Sequence, residues 1–140
     1  MKNGNQQFNA SYALWDTGAT NTCISNAVAQ SLKLISTGRS EIHTPSGSKI
    51  INTYLVNVIL PNHVRIENAV VFGSDIGDQN LDVLIGMDII SLGDFSITQY
   101  GGNTTFSFCY PSIKPIDYVS QLKAQQLVGQ KHGTGKRKRR

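Results

Sequence analysis

No apolar run in the chain is long enough to cross a bilayer. Residues 1–7 also lack the hydrophobic segment a signal peptide needs, so the expected location is cytoplasmic. Cysteine is scarce. Cys23 and Cys109 lie far apart without metal-ligand spacing, which argues against a disulfide scaffold and points to two free thiols in a reducing compartment. On the same ground the sequons at Asn9 and Asn103 read as chance matches. The histidines, His43, His63 and His132, have no nucleophile motif beside them, which disfavours a serine or cysteine hydrolase. Basic residues are concentrated at the end. Lys131, Lys136, Arg137, Lys138, Arg139 and Arg140 supply six of the 13, so residues 1–130 hold seven against nine acids, while the whole chain is +4.

What is present suffices for one domain with one modest core: 140 residues, 39% of them hydrophobic, with no internal repeat to supply a second lobe. Residues 13–20, Ala-Leu-Trp-Asp-Thr-Gly-Ala-Thr, place one carboxylate, Asp16, at the end of a short apolar run and directly before Thr17 and Gly18. A hydroxyl and a glycine beside an acid can supply hydrogen bonds that hold it in one orientation, as general acid/base work demands. Alone, Asp-Thr-Gly suits an ordinary turn equally well. A second stretch, residues 82–92, reads Asp-Val-Leu-Ile-Gly-Met-Asp-Ile-Ile-Ser-Leu, an apolar run broken by Gly86 and continuing as a helical turn.

Between and around these, residues 8–15 suit a strand leading to Asp16, with Trp15 pointing away from the acid's face. Ser25 or Asn26 is placed to cap a short helix reaching Leu32, with Val28 and Leu32 on its buried side. Residues 39–43 and 49–60 read as two strands around the turn-rich Thr44-Pro45-Ser46-Gly47-Ser48, the second alternating through Tyr54, Val56, Val58 and Leu60. Val64, Ile66, Val70 and Phe72 share one face of the next strand, and residues 73–80 are loop-like. Residues 94–98 and 104–108 form a hairpin around Tyr100-Gly101-Gly102-Asn103. Past Pro115, Asp117 caps a helix over residues 118–128 that Gly129 ends, and a basic tail follows.

The pairing of Ala-Leu-Trp-Asp-Thr-Gly-Ala-Thr with Leu-Ile-Gly-Met-Asp-Ile-Ile resembles the retropepsin-like aspartic proteases, the single-lobe group of retroviral and retrotransposon proteases and their cellular relatives. The resemblance implies an all-β, closed β-barrel domain over residues 1–114 with one or two short helices, and a separate helix and tail over 115–140. It implies an aspartic endopeptidase without metal or organic cofactor. Such hydrolysis needs two carboxylates sharing a proton, and only Asp16 has the Thr-Gly context, so the second must be Asp16 of another copy. A homodimer is therefore expected, with its active site on a two-fold axis. In the family's arrangement Thr17 braces the loops across the axis, Gly18 and Ala19 complete the active-site loop, Ile85 and Gly86 pack beneath it, and the hairpin tip 44–48 is the flap over bound peptide. Ala19 stands where two-lobed relatives have a hydroxyl, which favours mildly rather than strongly acidic solution. Lentiviral relatives carry an acid and an arginine where this chain has Thr20 and Met87, so the ion pair is exchanged as a unit and Asp88 must find its own partner near the helix start. The competing reading is a peptide-binding or scaffolding dimer of the same fold that cleaves little.

The tail offers charge only. Its glycine spacing fits no phosphate loop and it has no cysteine for zinc, so Lys136, Arg137, Lys138, Arg139 and Arg140 either contact nucleic acid or an acidic partner without sequence preference, or form a solvated terminus.

Overall fold

The computed structural model describes residues 6–44 and 47–133. The strands are β1 (Ala13–Trp15), β2 (Cys23–Ser25), β3 (Gly38–Thr44), β4 (Gly47–Ile59), β5 (Arg65–Ser74), β6 (Val83–Ile85), β7 (Asp94–Tyr100) and β8 (Asn103–Cys109). The helices are α1 (Asn26–Ser31), α2 (Met87–Ile90) and α3 (Tyr118–Gly133), with one 3-10 turn at Ile76–Gln79. Six strands form one sheet in the order β1-β6-β2-β5-β4-β3, and β7 and β8 form a second sheet of two strands.

The closed barrel expected from the sequence is not found. The larger sheet is open, with β1 at one edge and β3 at the other. Two local causes are visible at the β1 edge. Residues 8–12, expected to lengthen β1, are not in a strand. The backbone of residues 11 and 12 bonds to residue 82 instead: the Asp82 carboxylate accepts from the N–H groups of Ser11 (2.7 Å) and Tyr12 (3.2 Å), and Tyr12 O accepts from Asp82 N–H (2.9 Å). The β7–β8 hairpin, in turn, meets β1 through side chains rather than a ladder. Trp15 lies 5.8, 5.2 and 5.1 Å from the rings of Phe95, Phe106 and Phe108, and Asn62 Nδ2 donates to Phe108 O at 3.1 Å. Trp15 is thus a packing residue, as its alternation implied.

Local signals account for most other elements. Ser25 caps α1 by accepting from Val28 N–H at 3.2 Å, and the helix buries Val28 and Ala29. Gly101 and Gly102, both at positive φ, form the two-residue turn between β7 and β8. In β5 the expected single face fails. Asn68 has φ 55° and the β4–β5 register shifts between Val56 and Val58, so the alternation changes phase: Ile66 is buried, but Val70 is 51% exposed and Val71 is fully buried. The β3–β4 hairpin pairs Thr44 with Gly47 and is tighter than expected, and Pro45 and Ser46 lie outside the described residues. Helix α3 continues through Gly129 to Gly133, because a glycine ends a helix only where its backbone turns left-handed and otherwise costs about 1 kcal/mol.

The core has two clusters of buried residues. One gathers Leu60, Ile66, Ile85, Ile89, Ile90 and Phe108, the other Ile24, Val28, Ala29, Tyr54 and Val71, and the partly buried Ala69 and Val83 touch both.

Candidate active site

The site is set by where β6 sits. It runs parallel to β1 (Trp15 beside Ile85) and antiparallel to β2 (Cys23 beside Leu84), so the chain leaving β1 must cross the carboxyl end of β6 to reach β2. Residues 16–22 make that crossing as the chain after β6 turns into α2. The approach is close. A Cβ on Gly86 would lie 2.6 and 2.7 Å from the carbonyl carbon and oxygen of Asn21, and 3.0 Å from Ala19 O, so a side chain there requires a backbone shift.

Six hydrogen bonds fasten the crossing. Asp16 N–H donates to Ile85 O (2.9 Å), Met87 N–H to Ala19 O (2.8 Å) and Asp88 N–H to Thr20 O (3.1 Å). Gly86 N–H donates to Thr22 Oγ1 (3.1 Å), Thr22 Oγ1 donates to Asp88 Oδ1 (2.6 Å) and Thr22 N–H to Asp88 Oδ2 (2.9 Å). Ile89 N–H adds a third donor to Asp88 (2.9 Å). Asp88 thus finds the partner its position at the helix start required, in Thr22, which is wholly buried.

Within this frame Asp16 is half-buried, and its Oδ1 accepts from Gly18 N–H at 2.8 Å. A Cβ at residue 18 would lie 3.2 Å from that oxygen, so the small residue keeps the carboxylate seated against the backbone. Ala19 N–H donates to Asp16 O (3.2 Å), closing the turn, and Thr17 is exposed. Ile85 is buried among Ile89 and Ile90. Asp16, Thr17, Gly18 and Ala19 therefore come together with Ile85 and Gly86. The hairpin residues Thr44, Gly47 and Ser48 belong to β3 and β4, at the other end of the sheet order from β1. Near that hairpin's end Lys49 Nζ pairs with the Asp75 carboxylate, which also accepts from Asn26 Nδ2 at 2.6 Å. Lys136, Arg137, Lys138, Arg139 and Arg140 lie outside the described residues.

The sequence reading missed Thr22 and Asp82. Nothing local marks Thr22, whose partner is 66 positions away, although an Asp88 needing a buried donor was a pointer to it. Cys23, next in the chain, is half-buried, and burial first and the Asp88 charge second push its thiol upward.

The Asp16 carboxylate is thus seated on its own Asp-Thr-Gly turn, over a strand-to-helix step that admits only glycine. Residues 3–91, more than half of the chain, match the family described as "gag-polyprotein putative aspartyl protease", and the chain belongs to that family of retroviral and retrotransposon type. The match ends beside α2, so β7, β8 and α3 lie beyond it. No curated protein and no solved structure matches the chain. Among the described residues no helix is long and apolar enough to cross a membrane.

Proposed function

We propose that the protein is a homodimeric aspartic endopeptidase in which Asp16 of each subunit supplies one carboxylate. The observation that carries this reading is the state of the three acids in the two motif stretches, residues 13–20 and 82–92. Asp82 is occupied by two backbone donors and Asp88 by three donors, whereas among the described residues the one donor to the Asp16 carboxylate is its own Gly18 N–H. Asp16 is thus the acid left to act, and its counterpart is the same residue of a second copy.

In the dyad, one carboxylate takes a proton from water as the oxygen attacks the peptide carbonyl, and the protonated partner gives its proton to the carbonyl oxygen. Collapse of the resulting gem-diol breaks the C–N bond, with a proton passing to the leaving nitrogen. Thr17 braces the paired loops across the axis, and the β3–β4 hairpin, with Thr44, Pro45, Ser46, Gly47 and Ser48 at its end, closes over an extended peptide. Residues 1–114 form the catalytic unit, and 115–140 stand apart from it.

Asp16→Asn tests the reading: cleavage of an unfolded-peptide library should fall at least about 10³-fold in a protein that still sediments as a dimer. Activity should also fall on dilution as subunits separate. Full turnover by the variant, or by a species shown to be monomeric, would refute the shared site.

A further inference from the structure

We infer that Thr22 and Asp88 are positioning residues that fix the Asp16 loop, acting through the hydroxyl–carboxylate contact beneath the crossing. The inference rests on the catalytic reading of Asp16.

The geometry is specific about chemistry. The Thr22 hydroxyl has two duties, donating to Asp88 Oδ1 and accepting from Gly86 N–H, and no apolar side chain of the same shape can perform either. Asp88 Oδ2 takes the N–H of the same threonine, so one carboxylate holds both the backbone and the side chain of the residue that ends the loop. The loop's other end is fixed by Asp16 N–H on Ile85 O. Residues 16–22 are therefore anchored at both ends to a single segment, residues 85–88, and the Thr22–Asp88 anchor is the side-chain one. Thr22 is fully buried, so water does not stand in for a lost partner. Neither side chain hydrogen-bonds to the Asp16 carboxylate, which accepts from Gly18 N–H. Their effect is on where the loop presents it, and a displacement of about 1 Å at a reacting group can cost on the order of 10²-fold in rate.

Cys23 supplies a reporter that does not depend on proteolysis. Its thiol is raised partly by the Asp88 charge, so thiol alkylation against pH, in a Cys109→Ser background, reads whether that charge is in place.

The test compares Thr22→Val, Thr22→Ser, Asp88→Asn and a control at exposed Asp78, Asp78→Asn, each normalised to folded dimer. Thr22→Val and Asp88→Asn should each lower kcat by about 10- to 100-fold with KM within about twofold. Thr22→Ser, which keeps the hydroxyl, should restore most of the rate, and the Thr22→Val/Asp88→Asn double variant should be scarcely slower than either single one. Asp88→Asn, and not Thr22→Val, should move the Cys23 alkylation midpoint to lower pH. If folded Thr22→Val and Asp88→Asn keep kcat within about twofold of the parent, or if Thr22→Ser is as slow as Thr22→Val, the positioning role is wrong. Should the parent protein cleave no peptide, the catalytic reading fails by itself. Hydrogen exchange then judges the anchor: the Gly86 amide should exchange at least about tenfold faster in Thr22→Val, and an unchanged rate would overturn it.

Discussion

Two segments of this protein are tied down by an aspartate, and the two ties sit in different surroundings. At the crossing, Asp88 is half-buried and its principal partner, Thr22, has no exposed surface. At the β3–β4 hairpin, Asp75 holds Lys49 and Asn26, but the side chains of the Lys49–Asp75 pair are 58% and 56% exposed. Water and salt compete for the second tie and scarcely for the first, so similar groups do different work. The buried tie sets a geometry, whereas the exposed one sets a preference. Under the proposed function a catalytic loop calls for the former, and a hairpin acting as a flap over peptide for the latter.

The comparison breaks most severely at Gly86. Gly86→Ala puts a methyl group within 2.7 Å of the Asn21 carbonyl, and relief would have to come from backbone on both sides of the crossing. We expect a loss of about 3 kcal/mol or more, read from urea denaturation. A loss below about 1 kcal/mol would mean that the crossing is looser than its distances imply. Thr22→Val should cost less, about 2 kcal/mol, because it leaves the Gly86 N–H unpaired and takes from Asp88 Oδ1 one of its two donors, Ile89 N–H being the other, without overfilling the site. An unaltered denaturation midpoint for this variant would erase the contrast between the two ties.

At the exposed tie the expected effects are small. Lys49→Met should leave the melting temperature unchanged, and peptide KM should change less than about threefold at low salt and not at all at high salt. The pH behaviour has a definite sign. The hydrogen bond and charge of Lys49, with Asn26 beyond them, hold the Asp75 carboxyl below the usual carboxylate range. A group whose pKa is lowered on folding contributes above its unfolded value, near 4, and loses that contribution as pH falls through its folded value. The tie is therefore constant through neutral and mildly acidic solution and weakens only in strong acid. A change in Lys49-dependent KM between about pH 5 and 7 would show that some other group controls the hairpin.

What the sequence disclosed and what it withheld divide along the range of the signal. Asp16-Thr17-Gly18, Gly86 before a helical turn, the Ser25 cap and the Gly101-Gly102 turn are local patterns, and each forms where its residues indicate. The Thr22–Asp88 contact joins residues 66 apart, and nothing in either neighbourhood names the other. The phase change in β5 depends on Asn68 adopting a left-handed backbone opposite a shifted register, which moved Val71 into the core and Val70 out of it. Barrel closure failed as an expectation for the same reason. It depends on which distant segment satisfies residues 11 and 12, and Asp82 does so with its side chain.

The smallest effect is expected at α3, where no hydrogen bond or ion pair among the described residues ties the helix to the body. Asp117 caps α3 by accepting from Ser120 N–H at 3.1 Å, a bond internal to the helix, and Tyr118, Val119, Leu122 and Leu127 are all more than half exposed. The segment just before the helix is held differently. Asp94 accepts from Ser112 Oγ and from Ile113 N–H (2.7 Å), contacts that keep its carboxyl below the usual range and join the chain to the start of β7. A truncation after Asp117 therefore keeps the Asp94 anchor, and the described side chains it removes, residues 118–127, are all exposed, with little burial to lose. Its melting temperature should lie within about 1 °C of the full chain, since 1 kcal/mol corresponds to about 4 °C for a domain between 100 and 150 residues. Cleavage of short peptides should likewise be unchanged. A fall of 5 °C or more would mean that α3 packs on a surface in solution, either of its own body or of a second copy, and protein-concentration dependence of that shift would tell the two apart.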